Sequence, residues 1–336
     1  MPLRAGVPFV SALRSCGSAA PPARPYLHDA LFYDDDHQLV HLVAPFVREG
    51  LAAGEAAVIA TTPRAAAALL EELGDHPLLD VVDRQGAYRA RTPTAITRFR
   101  RLAEEHTGAG VSRVRVIGEI DFGRTERERL EWQRYESVIN AALAGWPLWG
   151  VCVFDTQRSA QPVLDGALET HPSLLGPGGP SANPGFVDPA EYLSGLPVPD
   201  EPLEAAPPRL AATDVRDFIG LRHAVAAELA TSRAEPDVVE DLLLAVDEMV
   251  SNAVRHGRPP VGLRLWTAED RIVCTITDGG PGWDDAFAGY GPAHGDDLSR
   301  GGMGLWLARQ LCDHVDISGG APGQSGVRVR LTVRLP

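Results

Sequence analysis

A carboxylate and a carboxamide lie four residues apart in a helical stretch of the C-terminal half. Apolar residues recur at three- and four-residue steps over residues 236–256, which predicts a helix. Glu248 and Asn252 are one turn apart and therefore share a face of that helix. The amide oxygen suits a hydrated Mg²⁺ ion, and the carboxylate is then free to act as a general base. Taken alone, such a pair is more often a solvated helix face.

Two glycine-rich segments follow this helix. Asp278 ends a predicted strand over 271–277 and precedes Gly280 and Gly282, so its carboxylate can accept an exocyclic amine while the backbone passes close to a flat ring. Further on, Gly302 and Gly304 open a predicted helix, where glycine amides form a phosphate cradle. Taken singly, the first segment is also typical of a tight turn, and the second of an ordinary loop entering a helix.

Together the three segments resemble the motifs of the GHKL (Bergerat) ATPase superfamily. Glu-x-x-x-Asn, Asp-x-Gly-x-Gly and Gly-x-Gly-Leu occur in this order, with separations of roughly 30 and 20 residues. The Ser-Asn-Ala-Val-x-His form of the first motif is most similar to bacterial anti-sigma-factor serine kinases, and the resemblance covers about residues 212–335. It implies ATP and Mg²⁺, with Asn252 ligating Mg²⁺, Glu248 as general base toward a seryl hydroxyl and Asp278 binding the adenine amine. The remaining residues it implies are Gly280 and Gly282 in the adenine pocket, and Arg300, Gly302 and Gly304 around the phosphates.

One position departs from the family pattern. These domains usually have Gly-Thr on a strand near the C-terminus, where the threonine helps to hold adenine, whereas this chain has Gly326-Val327. The missing hydroxyl puts ATP affinity, and with it phosphotransfer, in question.

The N-terminal half alternates predicted strands with helices of ~10–15 residues, which indicates a parallel α/β sheet. Residues 28–193 resemble the MEDS (methanogen/methylotroph sensory) domain, a RecA-like α/β module, at scattered positions that include His28 and Cys152. This resemblance implies a sensory domain for an unidentified small molecule. We expect its pocket at the carboxyl ends of the strands, where open α/β sheets place ligands. The candidate lining residues are Glu119, Trp132, Glu136, Asn140, Asp155 and His171, each of which has a core, capping or ion-pairing role as its alternative.

Composition excludes several other functions. The 336 residues contain no lysine, which removes the standard P-loop, the eukaryotic-type protein kinase and the pyridoxal-phosphate enzyme. The formal net charge of −14 disfavours nucleic acid and membrane surfaces as partners. Four well-separated cysteines include no CxxC pair, which predicts buried free thiols, and Cys152, Asp155 and His171 have no spacing typical of a metal site.

The sequence therefore predicts an α/β protein of two domains. We expect a disordered N-terminus over 1–25, a RecA-like, parallel-sheet MEDS-like sensory domain over 26–195 and a Pro-rich linker over 196–210. A GHKL ATPase domain, an α/β sandwich, follows over 211–336. No apolar stretch reaches the ~20 residues that a membrane span needs, and a cytoplasmic location is expected.

The predicted function is that of an anti-sigma-factor-type regulator. It would use ATP and Mg²⁺ to phosphorylate a serine of an anti-anti-sigma (STAS) protein and so control transcription through a sigma factor. The resemblance also allows direct binding of a sigma factor and a homodimer. Two alternatives stay open: an ATP-gated binding module without phosphotransfer, and a sensor histidine kinase. The second is disfavoured because His223 lacks the usual phosphoacceptor surroundings.

Overall fold

A seven-stranded sheet forms the centre of the N-terminal half. The computed structural model describes residues 25–88, 91–282, 285–291, 303–319 and 326–335. The strands are Leu27–Tyr33 (β1), Ala56–Ala60 (β2), Leu79–Val81 (β3), Val114–Gly118 (β4), Leu148–Asp155 (β5), Ser173–Gly176 (β6) and Gly179–Ala182 (β7). Their order is β3-β2-β4-β5-β1-β6-β7, and all neighbours run parallel except β6 and β7. The parallel sheet confirms the α/β class predicted for this half.

Helices cover both faces of this sheet because successive strand residues point to opposite sides. Leu31 and Val153 face one way and pack on the first two helices, whereas Ala30 and Cys152 face the other way and pack on the sixth. Both faces are therefore buried, as parallel sheets require. The helices are Asp36–Ala52 (α1), Pro63–Leu73 (α2), Arg84–Tyr88 (α3), Thr92–Gly108 (α4), Glu126–Ala142 (α5), Gln161–Thr170 (α6) and Pro189–Gly195 (α7).

The C-terminal half is built on a second, antiparallel sheet with helices on one face. Its helices are Phe218–Leu229 (α8), Pro236–His256 (α9) and Gly304–Leu311 (α10), and they pack on the sheet in one apolar core. The strand order is β11-β12-β10-β9-β8. The strands are Leu210–Ala212 (β8), Gly262–Thr267 (β9), Arg271–Asp278 (β10), His314–Gly319 (β11) and Val327–Arg334 (β12). This arrangement confirms the predicted α/β sandwich.

The stretch predicted as a linker lies against the other face of the second sheet. It contains a short 3₁₀ helix, Pro202–Ala205, and its carboxylates reach strand residues. Glu201 pairs with Arg271 at 2.9 Å, and Glu204 accepts a hydrogen bond from Thr275 at 2.7 Å. None of the described helices has the length and apolarity that crossing a bilayer requires.

The two halves meet at a buried ion cluster. Asp316 on β11, whose side chain is 5% exposed, accepts from Arg127 on α5 at 2.5 Å and from Arg330 on β12 at 2.8 Å. Burial works against ionisation of this carboxyl, but the two guanidinium groups hold its pKa below the ordinary value. Nearby, Arg91 and Thr94 bind Gln310 of α10, so the N-terminal half touches the helix that begins at Gly304.

We expect Asp316→Asn to lower the free energy of unfolding by ~3 kcal/mol at pH 7, because it removes a buried carboxylate that pairs with two guanidinium groups. Since the folded pKa is depressed, this stabilisation is present above about pH 4 and is lost as the pH falls through the folded pKa. Urea denaturation should therefore show a difference between wild type and variant that shrinks as the pH is lowered. The control is Asp270→Asn at an exposed ion pair, where a loss below ~1 kcal/mol is expected. An equal loss of unfolding free energy in both variants would contradict the stabilising role given to the Asp316 ion cluster.

Candidate functional site

Helix α9 positions the carboxylate and the amide that the sequence singled out. Leu242, Val246 and Met249 form its buried stripe, which fixes the rotation of the helix against the sheet. Glu248 and Asn252 are both half-buried on the side that meets α10. The two polar groups therefore face the start of another helix instead of bulk solvent.

Gly304, the first residue of α10, brings the third motif to the first. A Cβ on this glycine would lie 2.5 Å from Oε2 of Glu248 and 3.2 Å from Nδ2 of Asn252. Only a residue without a side chain allows the helix N-terminus, with its unpaired amides, to come so close to both groups. The arrangement suits a phosphate group held at the N-terminus of α10, with a cation held by the Asn252 oxygen beside it.

Asp278, at the end of β10, stands at one end of an apolar pocket. Its Oδ1 accepts the Gly280 amide at 2.6 Å, which orients the carboxylate and leaves the other oxygen for a ligand. Gly282 lines the same pocket and adopts φ +122°, a conformation that favours glycine. A flat, mostly apolar ring with an amine at its edge fits these walls. The pocket is lined by Met249, Asn252, Ala253, Gly257, Ile276, Asp278, Gly280, Gly282, Leu305, Ile317, Val327 and Val329, among others.

The structure thus brings together six of the predicted nucleotide residues: Glu248, Asn252, Asp278, Gly280, Gly282 and Gly304. Arg300 and Gly302 lie outside the described residues. Sequence reasoning did not find Gly257, where a Cβ would lie 2.3 Å from Cγ of Asp278. Glycine is common directly after the last residue of a helix, so nothing in the sequence marked Gly257 as part of the pocket.

Val327 lies directly across from Asp278 in the strand register and lines the same pocket. It is 9% exposed and packs among the apolar walls. We expect Val327→Thr, which restores the hydroxyl usual in related domains, to tighten ATP binding by about threefold to tenfold, the value of one added hydrogen bond. Fluorescence titration with an ATP analogue would measure this, with Val333→Thr on the same strand but outside the pocket as the matched control. Weaker ATP binding, or equal tightening in the control, would show that the added hydroxyl makes no hydrogen bond to the nucleotide.

Three of the six predicted sensory residues meet in the N-terminal half. Glu136 and Asn140 on α5 and His171 after α6 lie together with His28 of β1 and Cys152 of β5. The cluster lies between the sheet face and the helices, away from the carboxyl ends of the strands.

The other three lie apart from this cluster. Glu119 accepts the Thr62 amide at 2.9 Å and lies 3.7 Å from Arg84. Trp132 packs edge-on against Tyr88 and Tyr135. Asp155 caps the turn that follows β5 by accepting the Gln157 amide at 2.9 Å. Glu119 therefore has an ion-pairing role, Trp132 a packing role and Asp155 a capping role.

Comparison with known proteins agrees with this division of the chain. Residues 27–172 match the MEDS model (MEthanogen/methylotroph, DcmR Sensory domain), and residues 211–333 match the histidine kinase-like ATPase domain. Serine-protein kinase RsbW of Bacillus velezensis is 36% identical over 107 residues, covering 29% of this chain and 64% of that protein. The protein of the same name from Staphylococcus aureus is 31% identical over 140 residues, covering 34% and 86%. The chain therefore spans slightly less than two thirds of the first of these relatives and most of the second.

A solved structure, the SiaB-SiaC complex from Pseudomonas aeruginosa, aligns with a TM-score of 0.30 at 14% identity. The alignment covers 39% of this chain and 93% of that chain, and a similarity this distant does not inform the function. The two domain matches and the RsbW relatives identify the family. The chain belongs to the histidine kinase-like ATPase family together with the serine-protein kinases RsbW, and it joins that ATPase domain to a MEDS domain.

Proposed function

We propose that this protein is an anti-sigma-type regulator that phosphorylates a serine of a STAS protein with ATP. The observation that carries the proposal is the convergence of Glu248, Asn252 and Gly304 beside the pocket that contains Asp278. The names of the relatives, serine-protein kinase RsbW, support the same reaction.

The chain's own groups account for binding and proton transfer. Asp278 accepts a hydrogen bond from the adenine amine, and amides at the N-terminus of α10 donate to phosphate oxygens. Asn252 is the residue that would hold Mg²⁺, which supplies positive charge beside the phosphates. As the seryl oxygen bonds to the γ-phosphorus, the bond to the bridging oxygen breaks and ADP leaves. Glu248 takes the hydroxyl proton late in this step, when its low basicity suffices.

The N-terminal domain has a physical route to this site. Tyr290, in the segment 285–291 that follows the Asp278 loop, is 2% exposed and belongs to the apolar core of the N-terminal domain. Its ring also lies 4.2 Å from the guanidinium of Arg309 on α10. A change in the N-terminal domain would therefore act on α10, whose residues Gly304 and Leu305 lie beside the nucleotide pocket. A sensory role for the MEDS domain is part of the proposal.

An exposed apolar groove between α8 and α9 offers a surface to a protein partner. Phe218 is 45%, Ile219 72% and Val254 48% exposed. Val254 lies two residues from Asn252 on α9, so the groove occupies a different face of this helix from the nucleotide pocket. The groove supports STAS or sigma binding and equally a homodimer.

The test uses purified full-length protein, Mg²⁺ and γ-labelled ATP with the STAS proteins of the same genome. We expect acid-stable label on one STAS serine, and none with Asn252→Ala. Acid-labile label on the protein itself would instead indicate a histidine kinase, although His223 lies exposed on α8, a helix that packs on α9 within the ATPase domain.

A second candidate is a binding module gated by ATP, which Val327 favours because the adenine-side hydroxyl is missing. It predicts bound ATP, no labelled partner, and co-purification of a STAS or sigma protein that depends on nucleotide. Substitution of Glu248 would then leave every measured property unchanged.

A further inference from the structure

Four side chains able to ligate a metal meet in the interior of the N-terminal domain. His28 comes from β1, Cys152 from β5, Glu136 from α5 and His171 from the residue that ends α6. Their candidate ligand atoms all lie within 4.8 Å of one another, and every one of the four residues is buried. A polar group of this size in an apolar interior needs a compensating partner.

Four of the six distances among these atoms lie close to the edges of a tetrahedral site. Nε2 of His28 is 3.1 Å from Oε2 of Glu136 and 3.5 Å from Sγ of Cys152. Oε2 of Glu136 is 3.5 Å from that sulfur and 3.4 Å from Nε2 of His171. Zinc bonds of ~2.0–2.3 Å in a tetrahedron give ligand-to-ligand edges of roughly 3.3–3.7 Å. Since the other two distances are no longer than 4.8 Å, a modest contraction of the cluster would seat an ion among the four.

Neighbouring groups fix both imidazoles in the form that a metal needs. The Asn140 Nδ2 donates to three backbone carbonyls, so its Oδ1 must accept from Nδ1 of His28, 3.0 Å away. Nδ1 of His171 donates to the Ala167 carbonyl at 2.8 Å. With Nδ1 protonated in each ring, the neutral imidazole presents the Nε2 lone pair to the centre of the cluster.

Two buried atoms at this point lack the hydrogen bonds that their burial calls for. Among the described residues, Oε1 of Glu136 and Nε2 of His171 make none. Buried polar atoms almost always have a partner, and an unmet carboxylate oxygen and an unmet imidazole nitrogen side by side point to a cation between them.

We propose that His28, Glu136, Cys152 and His171 bind one Zn²⁺ ion. A thiolate with two imidazoles suits zinc, whereas Mg²⁺ and Ca²⁺ take oxygen ligands. On binding, the Cys152 sulfur–metal bond forms as its S–H proton is released to solvent. The ion joins two strands to α5 and the end of α6, and α5 also carries Arg127, which contacts Asp316 of the ATPase domain. The inference stands independently of the proposed kinase activity.

The test is metal analysis of untagged full-length protein, as purified and after chelation and titration with Zn²⁺ alone. We expect one equivalent of Zn²⁺ per chain in wild type. Titration with Co²⁺ alone should give a thiolate-to-cobalt charge-transfer band and tetrahedral d–d bands. This measurement depends neither on a variant nor on enzymatic activity. Asn140→Leu removes the acceptor for Nδ1 of His28 together with the donor to three backbone carbonyls, and should weaken Zn²⁺ binding by about 10- to 100-fold.

Cys152→Ala is expected to lose stoichiometric Zn²⁺ and the charge-transfer band. The matched control is Cys274→Ala, which removes another buried free thiol, in the ATPase domain, and should leave both the Zn²⁺ content and the charge-transfer band unchanged. Wild type that binds neither ion, or binds Co²⁺ without the sulfur band, overturns the proposal and indicates a metal-free hydrogen-bonded cluster. Equal metal content in Cys152→Ala and wild type overturns it as well.

Discussion

Replacing Asp278 with asparagine is expected to weaken ATP binding by one to two orders of magnitude, at about 1.4 kcal/mol for each factor of ten. One carboxylate oxygen already accepts the Gly280 amide, and the other is left for the adenine amine. Asparagine offers one acceptor in place of two, so its NH₂ must face either the Gly280 N–H or the ligand's amine. A lost hydrogen bond to a charged group, made worse by two opposed donors, costs about 1.5–3 kcal/mol. Calorimetric titration of ATP into the variant would measure the change.

The matched control for this variant lies at the opposite end of the same strand. Asp270→Asn makes the same chemical change next to Arg271, outside the pocket, and should bind ATP as wild type does. Thermal melting of both variants shows whether either has lost its fold. Wild-type affinity in a folded Asp278→Asn protein would remove Asp278 from the nucleotide site.

Glu248→Gln should separate binding from chemistry. The amide keeps the shape of the side chain beside Gly304 but cannot take a proton, so we expect ATP affinity within about threefold of wild type. Phosphorylation of the STAS partner should fall by 10²–10⁴-fold, the usual contribution of a positioned general base. Single-turnover transfer from preloaded ATP is the measurement, because it is not affected by nucleotide exchange.

Glu240→Gln, on an exposed position of the same helix, controls for a change of charge on α9. It should transfer phosphate at the wild-type rate. If Glu248→Gln also transfers at that rate, Glu248 is not the base. If both variants lose activity equally, the effect comes from the charge of the helix.

Much of the C-terminal site could be predicted from the sequence because its chemistry is local. Glu248 and Asn252 share a helix face by spacing alone, and Asp278 with its glycines lies in one short segment. Gly257 escaped notice because its role depends on the end of α9 meeting β10, a contact between segments that no local pattern records. The position of Gly304 against Glu248 is likewise a packing result, anticipated only through the family resemblance.

The N-terminal cluster shows where sequence reasoning ended. The general rule for parallel sheets directed attention to the carboxyl ends of the strands, where Asp155 and Glu119 lie. The polar residues that converge instead sit part-way along β1 and β5, on the face covered by α5 and α6. His28 and Cys152 meet because β1 and β5 are neighbours, with Ala30 and Cys152 in register. That pairing depends on strand order, which spacing along the chain does not reveal.

The docking of the linker on the second sheet also depends on contacts between distant segments. Its prolines predicted an extended segment, and composition gave no sign of a docked one. Glu201 and Glu204 hold it to the sheet through Arg271 and Arg330, and these partners lie some 70 or more residues away in sequence.

We propose that one Mg²⁺-dependent ATP site is framed by Glu248, Asn252, Asp278 and Gly304. The most direct test is to titrate ATP into full-length wild-type protein. The titration is followed calorimetrically, with Mg²⁺ present and again with the ion removed by a chelator. We expect one ATP per chain, with affinity that falls at least tenfold without Mg²⁺, since Asn252 and the phosphates then lose their shared ion. No binding, or binding that is indifferent to Mg²⁺, would contradict the assignment of the three motifs to a nucleotide site.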